Sequence, residues 1–176
     1  MGSEKHHSPV LLVCGILAAN DNLASEIISI LEAKWGTTVS ISSRIPFDFT
    51  KYYDKEMGEG ILRFYMGFDN LVEAGKIGDI KRQSNLIEKN FTIDGKRQVN
   101  IDPGYITLAK LVLATTKDAT HRIYLGNGIF AESTLFFKSG TFYPWQWTYP
   151  DYRHDNTIQY FNTLREIYRQ KLQSVK

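Results

Sequence analysis

The chain has 176 residues, 43% apolar and 23% charged, which suits one globular domain with a sizeable core and excludes a disordered or coiled-coil chain. Lys plus Arg is 21 and Asp plus Glu is 19, so the net charge is +2, and neither nucleic-acid nor membrane binding is signalled. Residues 1–90 carry 10 basic and 12 acidic side chains and residues 91–176 carry 11 and 7, which places any anion handling in the second half.

Cys14 is the only cysteine, so no intrachain disulfide forms and a reducing cytoplasm is the expected location. No run reaches the roughly 18 apolar residues of a membrane span. Residues 1–9 read as a flexible tail and 10–176 as a single domain. The apolar run Val10 to Ala18 is expected to be a buried strand and not a leader, because Val13 is large where a cleavage site wants a small residue and Glu4 and Pro9 interrupt the approach.

A helix follows, capped by Asn20, Asp21 or Asn22, with Leu23, Ile27, Ile30, Leu31 and Trp35 on one stripe and Gly36 at its end. Alternation from Thr38 predicts a second strand stopped at Pro46. A loop with Tyr52, Tyr53, Asp54, Glu56, Gly58 and Gly60 leads to a third strand over Ile61 to Phe68. Ile77, Ile80, Ser84 and Ile87 keep helical phase. Phe91 to Ile93 and Gln98 to Ile101 flank an Asp94-Gly95 turn.

The order strand, helix, strand, strand, helix, strand predicts an α+β fold with a ferredoxin-like split βαβ core (βαββαβ). Asp102-Pro103 reads as a cap and first residue of an added helix through Leu108, Leu111 and Val112. A hairpin over His121 to Phe137, split by Gly126-Asn127-Gly128, an aromatic loop and a closing helix from about Asn156 to Gln173 complete the chain. The last helix buries Phe161 and Leu164 on its stripe.

Motifs for common chemistry are missing: there is no Gly-x-x-x-x-Gly-Lys-Ser/Thr run, no Gly-x-Gly-x-x-Gly after the first strand, and no Cys-x-x-Cys or Gly-x-Ser-x-Gly. No motif names a cofactor, and His6 and His7 lack the context of a metal site. The hairpin is more informative. With a two-residue turn, parity places His121, Ile123, Leu125, Phe130 and Glu132 on one face, and Arg122 and Tyr124 on the other. A carboxylate beside an imidazole orients it for acid-base work, which makes His121 and Glu132 the candidate catalytic pair and Arg122 a candidate anion contact. A polar cross-strand pair at a sheet end is the plainer alternative.

Asn100 and Asp102 share a strand face where ligands often meet a sheet, with helix capping as the competing role for Asp102. Residues 136 to 161 hold 10 of the 23 aromatic side chains, including Trp145, Trp147 and Tyr149 between Pro144 and Pro150. Asp151 and Arg153 follow at once. Rings beside Arg and carboxylates suit a pocket for a planar ligand, or a surface for a partner protein, and they also suit a plain lid on the core.

The landmarks Tyr52-Tyr53-Asp54-Lys55-Glu56-Met57-Gly58, Val99-Asn100-Ile101-Asp102-Pro103-Gly104-Tyr105, His121-Arg122-Ile123-Tyr124-Leu125 and Trp147-Thr148-Tyr149-Pro150-Asp151-Tyr152 occur in this order. On them the chain, from about Val10 to Tyr168, resembles a domain-of-unknown-function family of single-domain bacterial and archaeal proteins. The resemblance implies no activity and no catalytic residues. Some members of that family carry a GTP-binding label, for which this sequence has no phosphate loop.

Two functions follow as expectations. One is a protein that binds a small anionic or nucleotide-like molecule, or a small enzyme, using His121, Glu132, Arg122, Asn100, Asp102, Tyr53, Glu56, Trp147, Tyr149, Asp151 and Arg153. The other is a non-catalytic module that docks a partner through the aromatic segment 142–152.

Overall fold

The computed structural model describes residues 2–174. β1 (Val10–Ala18) is buried along its whole length, which is why it is apolar at every position and does not alternate. α1 (Asp21–Trp35) starts where the Asn20 side chain accepts the Leu23 N–H at 3.0 Å, and it ends at Gly36, whose φ of 101° favours glycine. β2 (Thr38–Ile41) and β3 (Ile45–Pro46) both pair with β4 (Leu62–Val72), and the one-turn α2 (Asp54–Met57) lies in the loop between β3 and β4.

α3 (Ile77–Asn90) is followed by the hairpin of β5 (Thr92–Ile93) and β6 (Lys96–Arg97), turning at Asp94 and Gly95 as the sequence predicts. Next come β7 (Val99–Ile106), β8 (Lys110–Thr115), β9 (Ile123–Gly126), β10 (Ile129–Lys138) and β11 (Thr141–Pro144). The short α4 (Pro150–Arg153) and the long α5 (Asp155–Ser174) close the chain.

The fold is mixed α+β. Among the described residues the main sheet runs β11-β10-β8-β7-β1-β4-β2, with β3 beside β4 and β9 beside β10, and its neighbours are antiparallel. The two-residue period of β1 divides the core. Leu12, Cys14 and Ile16 pack with Phe64, Met66 and Ile101 against α1 and α3. Leu11 and Val13 face the other way, with Tyr65, Ile106 and Leu111, against Phe161, Leu164 and Tyr168 of α5. Cys14 is a free, buried thiol, and burial pushes its pKa up. Gly67 lets α5 come close, since a Cβ there would lie 2.5 Å from Leu164 Cδ2.

One expected element is wrong. Asp102-Pro103 opens no helix: both residues lie inside β7, and Leu111 and Val112 belong to β8. The turn between the strands is made by Thr107, whose hydroxyl accepts the N–H groups of Ala109 and Lys110 at 3.2 and 3.1 Å while its own N–H donates to Lys110 O at 2.9 Å. Gly104 then allows the two strands to meet closely, because a Cβ would stand 2.2 Å from Val112 O.

Candidate functional site

β7 and β8 are paired only from Gly104↔Leu113 to Ile106↔Leu111. Before Gly104, β7 remains paired to β1 while β8 continues along β10, so the two strands part. Pro103 stands at the point of separation and has no N–H to donate. Backbone groups opened by the split still need partners. α3 supplies them: Ile101 N–H donates to Glu88 Oε1 at 2.8 Å, Lys81 Nζ donates to Ile101 O at 2.6 Å, and the Ser84 hydroxyl lies 3.5 Å from the same oxygen. Three polar side chains on one helical stripe thus stand in for a missing strand.

A cavity of about 480 Å³ lies at this split. Its charged lining comes from separate elements: Arg63 from β4, Lys81 and Glu88 from α3, Arg97 from β6, and Asp102 from β7. Lys117 and Arg122, from the β8–β9 loop, complete the cations, and Glu132 and Asp151 the carboxylates. Rings of Phe49, Tyr52, Tyr53 and Tyr149 enclose the remainder.

The inner charges are extensively paired. Arg63, buried, forms an ion pair with Asp151, Nη2 to Oδ2 at 2.8 Å, and lies 3.8 Å from Asp102, with the Tyr65 and Tyr152 ring centroids 4.8 and 5.0 Å from its guanidinium carbon. Gly15 makes room for this stack, since a Cβ there would stand 2.2 Å from the Tyr152 hydroxyl. Asp102 accepts from Asn100 Nδ2 at 2.8 Å and lies 3.6 Å from Lys81 Nζ. Two buried polar atoms, Arg63 Nε and the Tyr152 hydroxyl, have no hydrogen-bond partner among the described residues. Burial raises the Glu88 pKa despite Lys81 and Arg97, and burial followed by the charge of Asp102 raises that of Tyr53.

Glu132 does accept from His121, at 3.2 Å from Nε2, although the parity argument fails. The β9–β10 register shifts after Ile129↔Gly126, so that Tyr124 faces Phe130, even opposite even. His121 and Arg122 also precede β9, and Arg122 turns to the same carboxylate, with Nε 2.8 Å from Glu132 Oε2. The expected opposite face for Arg122 is therefore corrected. Thr134 donates to the other Glu132 oxygen at 3.1 Å, and Arg122 Nη1 donates to Lys117 O at 2.9 Å. Glu132 thereby fixes the loop that presents Lys117.

Of the residues singled out from sequence, Asn100, Asp102, Arg122, Glu132, Tyr53, Tyr149 and Asp151 line the cavity. The other four stand outside its lining. His121 stacks on Trp147 at 4.9 Å, and Trp147 on Trp145 at 5.2 Å, while both indole N–H groups are spent on Ser133. Arg153 clamps the aromatic segment by donating to the carbonyls of Thr148, Trp145 and Gln146. Glu56 pairs with Arg97, Oε1 to Nε at 2.6 Å and Oε2 to Nη2 at 2.9 Å, and hydrogen bonding from Arg97 lowers its pKa.

Arg63, Lys81, Glu88, Arg97 and Lys117 are additions that the sequence reading lacked. A signal for two of them existed: Lys81, Ser84 and Glu88 continue the stripe of Ile77 and Ile80, and charged residues on the buried stripe of a helix need a polar destination. Among the described residues no helix is long and apolar enough to cross a membrane, and no group of three His, Cys, Asp or Glu is arranged to hold a metal ion.

No curated protein and no solved structure matches the chain. A family profile described as a domain of unknown function, DUF4416, matches residues 8–168, nearly the whole chain and all of the cavity's charged lining, and the chain belongs to that family.

Proposed function

We propose that this protein binds a small anionic molecule with a planar ring in the cavity at the β7–β8 split, as a ligand-binding protein or a small enzyme. The observation that carries the reading is convergence: cations from β4, α3, β6 and the β8–β9 loop meet aromatic rings around one space of about 480 Å³. Arg63 Nε and the Tyr152 hydroxyl add an unmet polar demand beside it. Asp102, with about a third of its side chain exposed and a fixed orientation from Asn100, is suited to accept from a ligand hydroxyl or amine.

The alternative, docking a partner through residues 142–152, has less support. Both tryptophans are half-buried, stacked and hydrogen-bonded to Ser133, so they build a wall beside Glu132 and do not form an open patch. The lone buried Cys14 supports a cytoplasmic location, and the strand order β7-β1-β4-β2 with α1 and α3 on one face supports a ferredoxin-like core. A thermal-shift screen of metabolites and metal ions tests the ligand reading: ring-bearing anions should raise the melting temperature by mass action, and no response to any of them removes it.

A further inference from the structure

Building on that anion-binding reading, we propose that the Glu56 carboxylate is an internal stand-in for the ligand's anionic group. It occupies the fork of Arg97, and a ligand carboxylate or phosphate takes its place.

The two edges of the Arg97 guanidinium are used differently. Nη1 is fixed from within the fold, donating to Glu88 Oε2 at 3.1 Å and to Asn100 Oδ1 at 3.0 Å. Nε and Nη2 form the parallel two-bond arrangement that arginine offers to carboxylates and phosphates, and Glu56 fills it. Arg97 lines the cavity and Glu56 does not. The carboxylate thus reaches the cavity's cation from outside.

Glu56 is carried by a loop, residues 47–61, that closes on itself. Its neck is closed by Phe47 N–H donating to Ile61 O at 2.8 Å. Downstream of α2, Gly58 and Gly60 have φ of 83° and 79° with open space around them, while Met57 stays seated against Leu17 and Ile61, so Glu56 leaves the fork by a local rotation about that anchor and not by a swing of the whole arm. Among the described residues the loop has a further polar tie to a cavity cation: Lys117 Nζ lies 3.1 Å from the Tyr52 hydroxyl and 4.6 Å from that ring's centroid. After Arg97 and burial, the charge of Lys117 also acts on Glu56. The two cations that hold the loop down are therefore those that an incoming anion would engage, and the loop's ties are exchanged for ligand contacts.

A plain tether makes the opposite prediction from a stand-in, which permits a direct test on the full chain. Dissociation constants are measured by calorimetry for phenyl phosphate, benzoate and the neutral benzyl alcohol with the native protein, Glu56→Gln and Glu56→Asp. A stand-in predicts that both variants bind the two anions about fivefold more tightly, because the competent open state no longer competes with a full ion pair, while benzyl alcohol binding stays unchanged. The larger gain identifies phosphate or carboxylate as the preferred group. Unchanged or weaker anion binding in both variants overturns the proposal, as does failure of both anions to bind any of the three proteins. If the metabolite screen yields a ligand while the variants stay flat, the pocket reading survives and only the stand-in falls.

Discussion

The two halves of β7 differ in what completes them. From Gly104 to Ile106 the strand is satisfied by backbone, paired to β8 so closely that only glycine fits at position 104. From Val99 to Pro103 the same strand has no β8 partner, and Lys81, Ser84 and Glu88 complete it with side chains. A backbone ladder leaves no space, whereas side chains reaching across from α3 hold the strands apart and leave a cavity with charged walls. The candidate site is thus a consequence of where pairing stops.

The comparison is tested most severely at Glu88. Glu88→Ala should destabilise the fold by about 4 kcal/mol in urea unfolding, since it leaves the Ile101 N–H without its acceptor and takes from the buried Lys81 ammonium and from Arg97 one of the carboxylates that face them. A loss below about 1 kcal/mol would show that the split half does not depend on α3. In the paired half, Gly104→Ala should cost about 3 kcal/mol, because the new methyl meets Val112 backbone. Its sharper diagnostic is faster amide exchange along Gly104 to Ile106.

Acidity separates the inner charges from the rim. Burial raises the Glu88 pKa, so the folded state binds the proton more tightly and this group makes stability fall as pH rises above the ordinary value of 4.5. Arg97 lowers the pKa of Glu56, so its contribution is present above 4.5 and is lost as pH falls through the lower folded value. Unfolding free energies measured against pH should therefore lose a falling limb in Glu88→Gln and a rising limb in Glu56→Gln. Slopes of the same sign would break the distinction. The smallest effect is expected from Glu56→Gln near neutral pH, about 1 kcal/mol, as befits a partly exposed pair.

Elements with a single local cause were legible in the sequence. The Asn20 cap, the apolar β1 and the Phe161 and Leu164 stripe of α5 each follow from spacing alone. Asp102-Pro103 was misleading because cap chemistry and strand separation use the same two residues, and only the partner strand decides between them. The contact of His121 with Glu132 was anticipated through a parity rule that the shifted β9–β10 register breaks. Arg63 and Arg97 were not legible at all, since their roles come from carboxylates distant in the chain: Asp151 for one and Glu56 for the other.

The tryptophans have an optical consequence. Trp35, at the end of α1, packs edge-on to Phe68, with its N–H donated to Gln83 of α3 at 3.1 Å. Trp145 and Trp147 lie against Ser133 of β10, separated in the sheet from the Phe68 strand β4 by β8, β7 and β1, and they are 5.2 Å apart and within 9° of parallel. Two indoles in that arrangement act as a coupled chromophore, and the third, isolated, does not. In Trp35→Phe the tryptophan bands of the near-ultraviolet dichroism and the tryptophan fluorescence come from the wall beside Glu132 alone, so events at the cavity can be followed in the intact protein without an attached dye.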